Sequence, residues 1–182
     1  MTDNELIAAS KTGDENAFKE IVKRHESRVA ATITGMLGKC PEAEDVGQET
    51  FIRFYKSLKN FQGTSSVGTY LTRIAINLSL NELKRRKRRS LLFLPKTEEE
   101  EFDIPDDNND SQYSEDIELV QRAIQQLDAK FRSVVVLRLM DGYSTAETAE
   151  ILKLPVGTVL SRLARAQKKL KEFLSPYKGD MI

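Results

Sequence analysis

A chain of 182 residues, 40% of them hydrophobic, can build one or two small cores, and no run of eighteen apolar residues offers a membrane span. The acidic start, Met1 to Leu6, lacks a signal peptide's basic and apolar regions, and a single cysteine, Cys40, excludes an internal disulfide and suits a reducing cytoplasm. Zero net charge hides three blocks: residues 1–96 hold 17 basic and 11 acidic side chains, residues 97–118 none and 11, and residues 119–182 hold 11 and 6.

Thr2 and Glu5 form a capping box for a first short helix through Leu6 and Ile7. Gly13 ends it and Asp14 caps the next. Phe18, Ile21, Val22, Val29, Ile33, Met36 and Leu37 then recur at helical spacing as far as Gly38, a length that predicts a bend or break near His25-Glu26. His25, the only histidine, has no companion His or Cys and reads as solvated, not as a metal ligand. Cys40 reads as structural filler before Pro41.

Residues 42–58 read as one helix whose buried side carries Phe51, Phe54, Tyr55 and Leu58. On the other side Asp45, Gln48, Glu49 and Ile52 fall at i, i+3, i+4 and i+7. Two readings stand: a solvated face, or a protein-docking face with an apolar centre and a polar rim. The stretch from Phe61 to Gly68, with Ser65 and Ser66 at its middle, is a loop. A further helix takes Leu71, Ile74, Ala75 and Leu78 inward. Arg73, Asn77, Asn81, Lys84 and Arg88 share its adjoining face, and amides and guanidinium groups are the types that read base edges. That helix ends in six consecutive cations, Lys84 to Arg89, suited to gripping phosphates.

Residues 95–113 carry Glu98 to Glu101, Pro105 and Asp106 to Asp110 with almost no apolar content, so they read as a linker. It is either a solvated, self-repelling tether or an acidic strand that mimics nucleic acid in a basic channel. From Ser114 a second helical unit follows. Ile117, Val120, Ala123, Ile124 and Leu127 mark its first helix, and Phe131, Val134, Val135, Leu137, Leu139 and Met140 its second, with Gly142 past the end.

Ser144 and Glu147 form a second capping box, opening a short helix with Ala146, Ala149 and Leu152 inward. Lys153 and Leu154 alone separate it from Pro155, which suits the first turn of the next helix. On that helix Val159, Leu163, Ala166, Leu170, Phe173 and Leu174 make an apolar stripe. Thr158, Ser161, Arg162, Arg165, Lys168, Lys169 and Glu172 gather opposite it. Two short helices across so tight a turn, the second basic outside, describe a helix-turn-helix.

Three motifs carry a resemblance over nearly the whole chain apart from the linker. Pro41-Glu-Ala-Glu-Asp-Val-Gly-Gln-Glu-Thr-Phe51, Leu71-Thr-Arg-Ile-Ala-Ile-Asn77, and Asp141-Gly-Tyr-Ser with Pro155-Val-Gly-Thr-Val-Leu-Ser-Arg162 stand in the order found in sigma factors of bacterial RNA polymerase. The chain resembles the short two-domain kind called extracytoplasmic-function sigma factors. The resemblance implies an all-α fold of two small helical domains joined by a flexible acidic linker. Residues 1–94 would be the region 2 domain, 95–113 the linker, and 114–182 the region 4 domain ending in the helix-turn-helix.

The resemblance also implies a non-enzyme, cytoplasmic, with no cofactor and no metal, that binds core RNA polymerase through its β′ and β subunits, binds promoter DNA, and is held by an anti-sigma factor. Asp45, Gln48, Glu49 and Ile52 become the polymerase contact. Phe61, Ser65, Ser66, Tyr70, Arg73, Asn77, Asn81, Lys84, Arg85 and Arg88 become the surface for the melted −10 strand, with a base flipped into the loop and stacked on Phe61 or Tyr70. Thr158, Ser161, Arg162, Arg165, Lys168 and Lys169 become the reader of the −35 duplex. Two departures stand out: Tyr70 where the family usually has tryptophan, and Leu160 where it commonly has Lys or Arg.

Overall fold

The computed structural model describes residues 1–93 and 112–177, and every regular element among them is helical. Of the expected linker, residues 95–111 lie outside the described residues, and Gln112 and Tyr113 already belong to a helix.

The N-terminal half is built from α1 (Asp3–Lys11), α2 (Glu15–Leu37), α3 (Pro41–Ser57) and α4 (Val67–Phe93). Thr2 caps α1 in a full box with Glu5, and Asp14 caps α2 by accepting from the Asn16 and Ala17 amides at 2.9 and 3.1 Å. Helix α2 is one continuous helix, so the chain does not break near His25. No glycine or proline stands there, and the polar cluster on its side serves α1 instead. His25 Nε2 lies 2.9 Å from Asp3 Oδ2, and Arg24 pairs with Asp3 and with Glu20. His25 is thus a partly buried partner of Asp3, not a solvated residue.

In α3 the buried line is Val46, Thr50 and Phe54, with the Thr50 hydroxyl donating to the Val46 carbonyl at 2.7 Å. Tyr55, expected inside, is 53% exposed because it lies a quarter-turn off that line, its ring edge resting on Phe18. The loop ends two residues earlier than the sequence suggests, for Val67 and Gly68 are already helical. Along α4, Leu71, Ala75 and Ile76 are fully buried.

The C-terminal half comprises α5 (Gln112–Gln125), α6 (Ala129–Val135), α7 (Thr145–Leu152) and α8 (Val156–Leu174). Only the end of α5 reaches the core, through Ala123, Ile124 and the following Leu127. Ile117 and Val120, expected inside, are exposed because the first turns of α5 run beyond α6 and α8. Phe131 to Leu137 are buried in succession, since α6 has α8 on one side and α2 on the other. Past Val135 the helix widens, with the Asp141 amide donating to the Val136 carbonyl five residues back at 2.9 Å. The widening turns Leu139 and Met140 outward, against expectation. The Ser144–Glu147 capping box is present, but the buried residues of α7 are Thr148, Ala149 and Ile151, and Ala146 is exposed. Pro155 precedes α8 as its cap, one position earlier than its expected place in the first turn.

The two halves share one core, where Val136, Leu137, Tyr143 and Ile151 pack with residues of α2 and α4. Gly35 makes the closest approach: a Cβ there would lie 3.0 Å from Val136 Cγ2. A helix leaves its last four carbonyls without partners, and those of α2 are all satisfied. Thr34 accepts from the Gly38 amide (2.8 Å), Gly35 from Gln125 (2.8 Å), Met36 from Arg132 (2.7 Å) and Leu37 from Arg86 (3.2 Å).

Candidate nucleic-acid interface

Helix α8 lies on the C-terminal core through Val159 and Ala166, both fully buried, with Leu163, Leu170 and Phe173 partly buried beside them. Lys153, in the left-handed conformation at φ 54°, makes the tight turn from α7 possible. Outward stand Gly157, Leu160, Ser161, Ala164, Arg165 and Lys168, all exposed, with Thr158, Arg162 and Lys169 half-buried at the margins. Ser161 donates its hydroxyl proton to the Thr158 carbonyl at 3.0 Å. No carboxylate among the described residues pairs with Arg162, Arg165, Lys168 or Lys169; Lys169 instead lies 6.0 Å from the Phe131 ring. Unpaired like charges along a rigid helix repel one another until a polyanion neutralises them.

Helix α4 presents a second polar face. Asn77, Asn81, Lys84 and Arg88 recur at i, i+4, i+7 and i+11, all exposed. Arg73 is drawn away, its Nη2 2.8 Å from Glu150 of α7. The six-cation run is not a uniform phosphate grip. Glu82, 8% exposed, lies 2.7 Å from Arg85 and 3.3 Å from Arg86, and Arg86 also reaches the Leu37 carbonyl, Cys40 and Glu42. Arg86 is therefore a structural cap, and Arg85, though exposed, is tied to Glu82. The carboxylate at i−3 and i−4 was legible in the sequence as the signal for both.

The loop before α4 is anchored by Lys11, whose Nζ donates to the Phe61 carbonyl at 2.7 Å, and Ser66 caps the helix through the Thr69 amide. Between Thr2 to Asn4 and Gly63 to Val67 lies an open polar cleft of about 410 Å³, bordered by Ser65 and Ser66. Phe61, expected on a stacking surface, is 7% exposed. Its ring packs edge-on against Phe54 and Tyr70, because the aromatic side chains there fill the core between α3 and α4. Tyr70 is half-buried in the same cluster. On α3, Asp45, Gln48 and Ile52 are exposed and share a face with Glu49, which pairs with Arg53 at 2.7 Å.

Residues to which the sequence assigned no packing role join the halves. Arg132, 8% exposed, donates to the Met36, Gln125 and Leu127 carbonyls, and burial pulls its pKa down to about 10. The Tyr143 hydroxyl donates to Thr72 Oγ1 at 3.0 Å, and the Arg28 guanidinium sits 4.9 Å from the Tyr143 ring. Asp141 lies 2.9 Å from Thr32 Oγ1, and burial pushes its carboxyl above the usual range. A cation between Phe131 and Val134 was the one readable sign of this joint. Among the described residues no group of His, Cys, Asp and Glu is placed to hold a metal, and no helix is long and apolar enough to cross a membrane.

The family model described as sigma-70 region 2 matches residues 21–89, and that of sigma-70 region 4 matches residues 117–170. The RNA polymerase sigma-H factor of Pseudomonas aeruginosa is 34% identical, covering 96% of this chain and 94% of its own. The extracytoplasmic-function factor SigW of Bacillus subtilis is 34% identical over 92% of this chain and 94% of its own. Among solved structures, CnrH in complex with the cytosolic domain of CnrY superposes with a TM-score of 0.70 at 26% identity, covering 96% of this chain and 97% of that one. The chain belongs to the sigma-70 family of RNA polymerase sigma factors, in its extracytoplasmic-function branch.

Proposed function

We propose that three surfaces of this sigma factor divide the work of promoter-specific transcription initiation. Residues 114–182 read the −35 duplex, α8 entering the major groove with Ser161, Arg162 and Arg165 toward bases and Thr158, Lys168 and Lys169 toward phosphates. Residues 1–94 take the melted −10 strand. Asn77 and Asn81 lie along it, Lys84 and Arg88 hold flanking phosphates, and the cleft beside Ser65 and Ser66 receives an extruded base. Extrusion costs a few kcal/mol. With Phe61 buried, the polar walls of the cleft are what offset that cost. Asp45, Gln48, Glu49 and Ile52 dock on core polymerase, an exposed apolar centre inside a polar rim. Residues 95–113 connect the two readers.

The observation that carries this reading is the contrast between cations. Arg86 and Arg132 are turned inward and used by the fold, whereas Arg165 and Lys168 face outward with Arg162 half-buried at the margin, and none of these three is paired with a carboxylate among the described residues. The chain works where polymerase and chromosome are, the cytoplasm, and performs no catalytic step of its own. The likeness to CnrH, solved with the cytosolic domain of CnrY, supports an anti-sigma partner for this chain too.

Run-off transcription with core polymerase tests the whole. The chain is expected to give promoter-dependent product on some genomic template, and absence of product on every template overturns the reading. Asp45→Ala with Gln48→Ala is expected to cut core binding sharply with the melting temperature unchanged. A stand-alone helix-turn-helix regulator would keep its function in that variant.

A further inference from the structure

We infer that Leu160 and Ala164 read thymine in the −35 duplex through its C5-methyl group. The two residues stand one turn apart on the outer face of α8, and both are exposed, Leu160 by 52%. Leu160 is held out by its position on the helix, with the apolar stripe of Val159, Leu163 and Ala166 already facing the core. Nothing in the folded chain among the described residues uses it.

Gly157, three residues before Leu160, is the second observation. It has ordinary helical backbone, and a Cβ added there would meet nothing within 4 Å. A glycine in a helix costs about 0.5–1 kcal/mol relative to alanine, and no neighbour in the chain requires one here. A bare patch of backbone beside Leu160 and Ala164 lets an external surface approach the helix more closely than any side chain would permit.

The nature of that surface follows from the rim. Ser161, Arg165 and Lys168 border the apolar pair, with Arg162 beyond. A protein-docking patch needs only a polar rim, whereas cations set along one helix face match the phosphates of a polyanion. In the major groove the thymine methyl is the apolar group that the base pairs present, every other feature being a hydrogen-bond donor or acceptor. A leucine set against cytosine's amino group or guanine's acceptors would strip them of water and return no hydrogen bond. Leu160 therefore selects as well as binds.

The inference rests on the proposed −35 role of α8, and the test separates the two. Full-length chain with core polymerase first selects from duplexes randomised upstream of a fixed −10 region. Failure to enrich any upstream sequence overturns the −35 role, and this inference with it. Each thymine of the selected element, on either strand, is then replaced by deoxyuridine, which removes only the methyl group. At one or two positions wild-type binding is expected to weaken about fourfold, from about 0.8 kcal/mol per buried methyl at 1.4 kcal/mol per tenfold. Leu160→Ala, with an unchanged melting temperature, is expected to bind the thymine duplex at least as weakly and to ignore the deoxyuridine change there. A selected element without thymine, a wild type indifferent at every position, or a Leu160→Ala protein that keeps the full methyl effect overturns the inference.

Discussion

The guanidinium of Arg132 donates to the carbonyl of Met36 at 2.7 Å, so the second half of the chain closes the C-terminal end of α2 in the first. The same side chain serves the Gln125 and Leu127 carbonyls, and its head group is 92% out of solvent's reach with the rest of the residue. Arg132→Met is expected to lose about 2–4 kcal/mol, because three buried carbonyls lose a charged donor. Arg132→Lys is expected to recover little, since one ammonium cannot reproduce the planar fork. Urea midpoints decide it, and a neutral methionine variant would count against the role given to this residue.

Gly35 is expected to act as the wedge point of the joint. A Cβ at that position stands 3.0 Å from Val136 Cγ2 and 3.2 Å from the end of Met140. Met140 is exposed and can yield, but Val136 is fully buried and cannot. Gly35→Leu is therefore expected to part the halves at a cost of about 1–3 kcal/mol while each keeps its helices. Small-angle scattering would register a larger radius of gyration with far-ultraviolet circular dichroism unchanged. An unaltered radius would oppose the packing described.

Thr32 has one hydroxyl proton and two acceptors within reach, the Arg28 carbonyl at 3.0 Å and Asp141 at 2.9 Å. Thr32 donates to the Asp141 carboxylate when it is ionised; a protonated Asp141 would donate to Thr32 instead and leave the Thr32 proton to the Arg28 carbonyl. Burial raises the Asp141 pKa, so the stability it contributes is full below the ordinary aspartate value near 3.9 and is lost as pH rises through the raised value. Asp141→Asn supplies a permanent donor there. It is expected to raise the melting temperature at pH 7, about 2–4 °C for each 1 kcal/mol gained, and to differ less from wild type at pH 3. A gap that widens on acidification would refute the assignment.

Gly157→Ala separates folding from reading. Removing a helical glycine with open space around it is expected to stabilise α8 by about 0.5–1 kcal/mol. If the bare backbone serves close approach to DNA, the same change weakens −35 binding. Paired melting and gel-shift measurements on one variant would show opposite signs, and parallel signs would remove the argument.

The helices and their caps could be read from the chain because they are local. Thr2–Glu5, Asp14 and Ser144–Glu147 each need only a span of three residues, and all three operate as expected. The misjudged residues were non-local. Tyr55, Ile117, Val120, Leu139 and Met140 are apolar at helical spacing, and only the position of a neighbouring helix or the widened turn after Val135 decides that they face out. Phe61 was misplaced for the same reason, since the core that swallows it comes from α3 and α4 together. The exposed basic side of α8 was readable because amphipathic spacing isolates it on one helix. The Arg73–Glu150 pair, 77 residues apart, left no comparable pattern.

The accounting at the end of α2 decides how the joint yields. If the halves swing apart, water can take over the Gly35 and Met36 carbonyls about one for one, and the exposed Arg73–Glu150 pair is worth little. What remains to be overcome is greasy contact around Val136, Leu137, Tyr143 and Ile151. Cold and dilute urea should therefore loosen the clasp while added salt leaves it shut, the reverse of the chain's hold on a promoter, which salt dissolves.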